Sequence, residues 1–505
     1  MNGMGNQTVV DLITSAAETA SDKVWLVDTD NPETGMTYGE LVEKVGRVAG
    51  ALRQLGVGRG DTVALSLRNR PEFLLAWFAV NWLGASMVPL NIALREREAT
   101  YIVSHSEAKF WVVDDAPDLE SVASAVARTI PAVGPLIGVS DIAEFAATGP
   151  IVEPERVQPD DLASILYTSG TTGEPKGCLC PHSYYATTGA RFVQRVTATA
   201  EDRFSTSLPL FHISAQTMST MGSLVSGASL AIEERFDASG YFERLTDYGA
   251  TIISYVGAIP SMLLAQPPSS HDRGHNLRVA YGGGINPDVH AAVEARFGVP
   301  WVEGYGMTEV GMCMGTSLLG DRKVGTGCCG EAFEGVETRL IDDDGNPLDG
   351  AGTGQLLLAG AGLFRGYHKL ESTTAFDEDG WFHTGDILRR DKDGDFYFVD
   401  RSKHVIRRSG ENISAKEVES VLSQHDAVSE VAVIGVPDEI RGQEVKAFIV
   451  VGEGYDGSET LRESLLEHAR EVLAYFKVPT YVSFIDEMPK TASLRIRKHL
   501  LVDRE

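Results

Sequence analysis

The stretch Tyr167-Thr-Ser-Gly-Thr-Thr-Gly-Glu-Pro-Lys-Gly-Cys178 follows the apolar run Leu162-Ala-Ser-Ile-Leu166 and concentrates groups that bind an anion. Hydroxyls on Thr168, Ser169, Thr171 and Thr172 are interleaved with Gly170 and Gly173, which leave backbone N–H groups open, and Lys176 adds a positive charge. That is the chemistry of a phosphate-binding loop. It is not the G-x-x-x-x-G-K-[ST] loop, because Gly177 follows Lys176 where that loop needs Ser or Thr. Farther along, Glu309 and Asp386 offer carboxylates. A hard divalent cation takes oxygen ligands, and a carboxylate accepts two hydrogen bonds from a vicinal diol, so these two acids suit those two tasks. The run Tyr281-Gly-Gly-Gly284 lacks side chains that block close approach. It is either a face for a flat ring or an acyl chain, or a tight turn.

With its neighbours in order, the phosphate-loop stretch resembles the adenylate-forming superfamily, which includes acyl-CoA synthetases, firefly-type luciferases and peptide-synthetase adenylation domains. Four further segments carry the resemblance: Gly304-Tyr-Gly-Met-Thr-Glu309, Trp381-Phe-His-Thr-Gly-Asp386, Asp400-Arg-Ser-Lys403 and Ser409-Gly-Glu-Asn-Ile413. The resemblance implies that Thr168, Ser169, Gly170, Thr171, Thr172 and Gly173 hold phosphate beside Lys176. It implies an AMP site built from Gly283, Gly304, Tyr305, Gly306 and Thr308, with Asp386 and Arg401 on the ribose and Mg²⁺ on Glu309 and Thr168. Lys403 falls at the family's hinge position, and Gly410 where a small residue lets pantetheine pass. His212 resembles the aromatic or His position lining the acyl and pantetheine channel; a packed loop histidine is the other reading. Val256, Gly257, Tyr281, Gly282, Gly284, Met307, Met312 and Met314 fall along the implied acyl pocket, and their small or flexible side chains suggest a bulky apolar acid.

The family reaction has two steps: ATP and a carboxylic acid give acyl-AMP and pyrophosphate, and a thiol, here coenzyme A, then attacks the acyl-AMP. The family's last motif ends in Gly-Lys, and that Lys serves adenylation. Here the segment reads Pro489-Lys-Thr-Ala-Ser-Leu-Arg495. The planar guanidinium of Arg495 does not reproduce a lysine point charge, and Leu494 removes a glycine's backbone freedom. Losing one preorganised donor of this kind costs ~2.7–4 kcal/mol, about 10²–10³ in rate. The expectation is an acyl-CoA synthetase relative specialised for thioester formation, fed with acyl-adenylate by a separate adenylating enzyme. A complete ATP-dependent carboxylic acid–CoA ligase is the alternative, and a non-catalytic nucleotide-binding scaffold or a luciferase-like oxygenase stands further back. The family also implies a possible homodimer.

These residues need a scaffold that repeats strand and helix. Leu41, Val45, Val48, Leu52 and Leu55 predict a helix over 38–56, ahead of a strand from Thr62. The same alternation returns at Phe73–Leu83 and Ser86–Leu90, at Glu98–Ser104 and Phe110–Val113, and at Phe242–Tyr248 and Thr251–Tyr255, implying parallel sheets covered by helices. Turn-rich sequence between Leu340 and Tyr367 predicts a small antiparallel unit, and an α+β pattern follows Asp400. The expected fold is α/β: a large N-terminal domain, 1–400, of parallel-sheet subdomains plus the antiparallel unit, and a mobile α+β C-terminal domain, 401–505, hinged near 403.

Composition agrees. The chain has 505 residues, and 44 basic against 71 acidic side chains give a formal charge of −27. Such a surface repels nucleic-acid phosphates and anionic lipid, so neither is an expected partner. Five cysteines without paired spacing argue against a disulfide framework or a zinc site. Met1–Asp22 carries no basic segment followed by an apolar core, and the expected compartment is the cytoplasm.

Overall fold

The first predicted helix forms over Tyr38–Leu55, and its start is fixed by a capping box in which Thr37 and Glu40 exchange side-chain and backbone hydrogen bonds. Its apolar stripe packs on the helix Pro71–Trp82, every residue of which from Phe73 onward is buried. A helix apolar on all sides belongs inside a large protein or a membrane. Here it lies in the core beneath other helices, and among the described residues no helix is long and apolar enough to cross a membrane.

This computed structural model describes residues 6–130, 132–168, 174–320, 322–342, 344–371, 375–401, 405–452, 454–489, 496 and 498–501, with backbone alone at 400, 401, 405, 416 and 499. Two sheets organise the N-terminal part. The six-stranded sheet runs Leu136–Gly138, Phe110–Val113, Thr62–Ser66, Ser86–Pro89, Leu162–Thr168, Lys176–Pro181; its pairings are parallel except the last, a hairpin. The other sheet has thirteen strands among the described residues. Its parallel centre contains Arg203–Thr206, Ile252–Val256, Val279–Gly283 and Trp301–Met307 side by side.

The antiparallel unit expected after Leu340 is not detached. Trp301–Met307 turns back into Gly311–Gly315, which pairs with Cys328–Ala332, which pairs with Phe396–Arg401. The antiparallel strands therefore extend the parallel sheet. Local turn signals mark hairpins but not which outer strand continues a neighbouring sheet.

The C-terminal domain has its own sheet, of five strands among the described residues. Helices Ala415–Leu422 and Glu459–Val472 cover one face over Ile413, Val418, Val433, Val445, Ala447 and Leu465. The opposite face carries Ile434, Phe448, Met488 and Leu501. All five cysteines are buried free thiols.

Candidate active site

In open sheets of parallel strands, binding residues gather beyond the carboxyl ends of the strands. Four neighbouring strands do this here. Arg203–Thr206 leads to His212, Ile252–Val256 ends at Val256 and Gly257, Val279–Gly283 runs into Gly284, and Trp301–Met307 carries Gly304, Tyr305 and Gly306. The six-stranded sheet contributes in the same way, Asn91 following Ser86–Pro89 and Thr168 closing Leu162–Thr168.

The end where phosphate binding is expected begins with the hairpin register, which sets Thr168 opposite Lys176 across the connecting loop. Ser169, Gly170, Thr171, Thr172 and Gly173 lie outside the described residues. Segment 365–368 runs alongside the second strand of the hairpin, with Arg365 N–H donating to Leu179 O at 2.8 Å and His368 N–H to Gly177 O at 2.7 Å. That places the Tyr367 ring under Lys176, whose Nζ is 4.9 Å from the ring centroid. The Tyr367 hydroxyl donates to Glu309 Oε1 at 2.9 Å, and Glu309 is buried. A cation, an aromatic ring and a carboxylate thus line up at the hairpin. Burial and the nearby Glu309 charge push the Cys178 thiol well above its usual range, so it stays protonated and inert.

At the end where the nucleoside is expected, Tyr305 donates to Asp386 Oδ2 at 2.7 Å, and Asp386 is fully buried. Strand pairing puts Arg401 directly opposite Asp386. From the C-terminal domain, Arg407 brings Nη2 to 4.0 Å from Asp386 Oδ2 and lays its guanidinium 4.8 Å from the Phe398 ring centroid. Thr308 is half-buried, and its carbonyl accepts from the Tyr184 hydroxyl at 2.9 Å.

The glycine run is held from behind by Glu303. Its Oε2 accepts from Gly284 N–H at 3.1 Å, and its Oε1 accepts from Ile285 N–H at 2.9 Å and the Tyr255 hydroxyl at 2.7 Å. Burial pushes the Glu303 carboxyl up even though these donors oppose the shift. A Cβ on Gly283 would stand 2.5 Å from Gly304 O, so close strand packing accounts for that glycine. Tyr281 is fully buried and T-shaped on Phe192 at 5.2 Å, while Met312 Sδ and the Tyr281 hydroxyl occupy the space beside Gly304. Tyr281 and Met314 pack in the core, whereas Val256, Gly257, Met307 and Met312 are half-buried and Gly284 is exposed.

The third cluster joins the two domains. Strands Val405–Arg408 and Glu411–Ser414 pair Arg408 with Glu411, leaving Ser409 and Gly410 as a two-residue turn with φ of 51° and 90°. Positive φ at both positions is the type I′ hairpin turn, which favours Gly. Gly410 abuts Val256, whose Cγ2 would stand 3.0 Å from a Cβ at that position. The next residue, Glu411, meets His212 Nε2 at 3.2 Å and accepts from Asn91 Nδ2 at 3.0 Å. Burial alone lowers the His212 imidazole pKa, but the Glu411 charge more than offsets this and leaves it raised. Burial alone raises the Glu411 carboxyl, but His212 leaves it lowered. Each partner therefore favours the charged form of the other.

Lys403, Leu494 and Arg495 lie outside the described residues, as does the Arg401 side chain. Sequence reading missed Asn91, Glu303, Tyr367 and Arg407. Glu411 was inside a quoted motif, which was the available signal; Tyr367 and Asn91 carry no local one.

Comparison with known proteins agrees with this layout. The AMP-binding enzyme family matches residues 13–368, and its C-terminal domain family matches 417–495. A crotonobetaine/carnitine–CoA ligase from Escherichia coli O45:K1 is 33% identical over 489 residues, covering 92% of both chains. Among solved structures, a double mutant of o-succinylbenzoate CoA synthetase from Bacillus subtilis, bound with its product analogue OSB-NCoA, superposes with a TM-score of 0.87 at 27% identity, covering 99% of each chain. ATP-bound MatB from Rhodopseudomonas palustris gives 0.73 at 28% identity, covering 98% of this chain and 99% of that one.

Proposed function

The chain belongs to the AMP-binding enzyme family, as an acid–thiol ligase of the acyl-CoA synthetase type, and from that premise we propose that it is specialised for the second half-reaction, moving an acyl group from an acyl-adenylate to coenzyme A. The observation that carries this reading is Arg495, with Leu494 before it, where the family's adenylating segment has Lys preceded by Gly. At near-equal identity and coverage the chain superposes better on the product-analogue complex than on the ATP complex, a likeness that fits a thioester-forming step in a half-reaction enzyme and in a complete ligase alike. The Gly410 turn meets Val256 at the mouth of the proposed channel.

In this reading residues 401–505 rotate as a unit about a hinge near Lys403. The thiol sulfur bonds to the acyl carbonyl carbon, the bond from that carbon to the AMP phosphate oxygen breaks, and the thiol proton leaves to AMP or water. His212, whose imidazole pKa is raised by the Glu411 charge, sits beside this path with its ring held by that carboxylate. Asp386 and Arg401 take the ribose; because Asp386 has no exposed surface, Arg407 must move aside for a hydroxyl to reach it while Tyr305 keeps the carboxylate in place. Thr168 and Lys176, facing each other across the hairpin, bind phosphate. The oxygen donors of Glu309 and Thr168 fit Mg²⁺, which takes few protein ligands and keeps substrate phosphates and water, and which would supply charge neutralisation there.

A complete ATP-dependent ligase is the second reading, favoured by Lys176, Glu309 and Asp386 all being in place. One experiment separates the two. Wild type and Arg495→Lys are given a panel of carboxylic acids with ATP, Mg²⁺ and CoA, and then the same acids as preformed adenylates with CoA. The half-reaction reading expects thioester from adenylates only, with the Lys variant gaining turnover from acid and ATP by about 10²–10³. Ordinary pyrophosphate release by wild type overturns it in favour of the complete ligase.

A further inference from the structure

Among the described residues three ion pairs cross between the domains: Arg407 with Asp386, His212 with Glu411, and Lys477 with Glu98. In the first two at least one side chain is substantially exposed. Lys477 and Glu98 are both buried, with side-chain exposures of 6% and 5%, and Nζ lies 2.5 Å from Glu98 Oε1. The same ammonium reaches Glu417 Oε1 at 2.8 Å within its own domain. The pair therefore sits in the seam between the domains, outside every motif of the proposed reaction.

We propose that Glu98 and Lys477 form an interdomain latch that holds the C-terminal domain in the orientation bringing Gly410 to Val256 and Glu411 to His212, which makes Lys477 a positioning residue for thioester formation. The proposal relies on the ligase reading above only for the name of the step that this orientation serves.

Three features favour a latch over a bond that merely adds stability. First, a buried ion pair is a weak source of net stability, because desolvation offsets attraction; its best-attested use is to specify one arrangement over others. Second, the N-terminal anchor is rigid. Glu98 lies on the helix Glu96–His105, where its Oε2 also accepts from Arg95 N–H at 2.9 Å. One turn on, the Tyr101 hydroxyl donates to Pro175 O at 3.1 Å, and His105 Nδ1 is 2.7 Å from the Tyr167 hydroxyl. The helix that grips Lys477 is thus fixed to the phosphate-loop hairpin.

Third, the latch is built to release. Docking buries two carboxylates against one ammonium, and Glu417 Oε2 is buried without a hydrogen-bond partner. When the domain rotates away, Lys477 keeps Glu417 while Glu98 regains water. The docked state is therefore held by a pair whose gain is partly cancelled, which suits an element that must open in each cycle.

The test reads domain orientation in the full chain with no substrate present. Spin labels on cysteines introduced at exposed Glu153 and Glu463, one in each domain, report the interdomain distance, the five native cysteines being buried. Glu98→Gln keeps an acceptor for Arg95 N–H and leaves the Lys477–Glu417 pair intact, so the C-terminal domain keeps its own contacts. We expect a second distance to appear, the docking equilibrium shifting by about 10–100-fold. Lys477→Met should act in the same direction, and Lys477→Arg should restore the wild-type distance. A Glu98→Gln distance distribution identical to wild type overturns the latch. So does a shift in Lys477→Met that accompanies loss of C-terminal domain folding and is absent from Glu98→Gln. Because no catalysis is read, this outcome is independent of whether wild type adenylates its acid.

Discussion

The Tyr305 hydroxyl, at the carboxyl end of a central parallel strand, donates to the fully buried carboxylate of Asp386 on an antiparallel strand 81 residues away. This bond joins the parallel and antiparallel halves of the large sheet at the proposed nucleoside site. Tyr305→Phe removes the donor and keeps the ring, taking one hydrogen bond from a buried carboxylate at a cost of about 1–3 kcal/mol. We expect AMP to bind about 5–100-fold more weakly by calorimetry, with a lower melting temperature. An AMP affinity within twofold of wild type would show that the bond neither shapes the ribose site nor holds Asp386 in place.

The His212–Glu411 pair gives docking a pH dependence of known sign. Glu411 raises the His212 pKa only while the domains are together. Its contribution to docking is therefore fully present below the undocked value, ~6.5, and is lost as pH rises through the raised docked value. Glu411, lowered on docking, contributes above its undocked value of ~4.3 and loses its contribution as pH falls through the lowered one. Docking should be strongest between those limits and loosen on the alkaline side. The interdomain distance is the right readout, because the CoA thiol itself ionises as pH rises and confounds a rate. His212→Gln should flatten the alkaline limb; an unchanged limb in that variant would assign the titration to another group.

How much of this was legible in the sequence follows the range of each interaction. Lys176, Glu309 and Asp386 stood out as candidates because phosphate, cation and diol chemistry demand particular residue types, and the structure sets Lys176 and Glu309 on either side of Tyr367. The helix Tyr38–Leu55 was legible for a similar reason, since its apolar stripe and capping box are both local. Pairings such as Glu411 with His212 and Lys477 with Glu98 span 199 and 379 residues, and no periodicity announces them. Tyr281 shows the same limit from the other side. Its glycine neighbours suggested a ligand face, yet the ring is buried against Phe192 in the core, a position set by strand pairing rather than by the run it belongs to.

Gly410 carries two separate demands, and they can be tested apart. Its φ of 90° is one a side chain rarely adopts, at a cost of roughly 1–2 kcal/mol. A Cβ there would also stand 3.0 Å from Val256 Cγ2, tighter than ordinary contact. The first demand belongs to the hairpin in both domain orientations, and the second exists only when the domains are docked. Gly410→Ala should therefore slow transfer from a preformed acyl-adenylate to CoA by about tenfold or more, while AMP affinity, for which Gly410 is not a proposed contact, stays near wild type. Adding Val256→Ala removes the contact but not the backbone strain, so the double variant should recover part of the lost rate and none of the lost melting temperature of the C-terminal domain. Full recovery of both would mean that the turn tolerates alanine and that contact with Val256 is the whole requirement; no recovery of rate would mean that the turn's backbone, rather than its fit against Val256, governs the step.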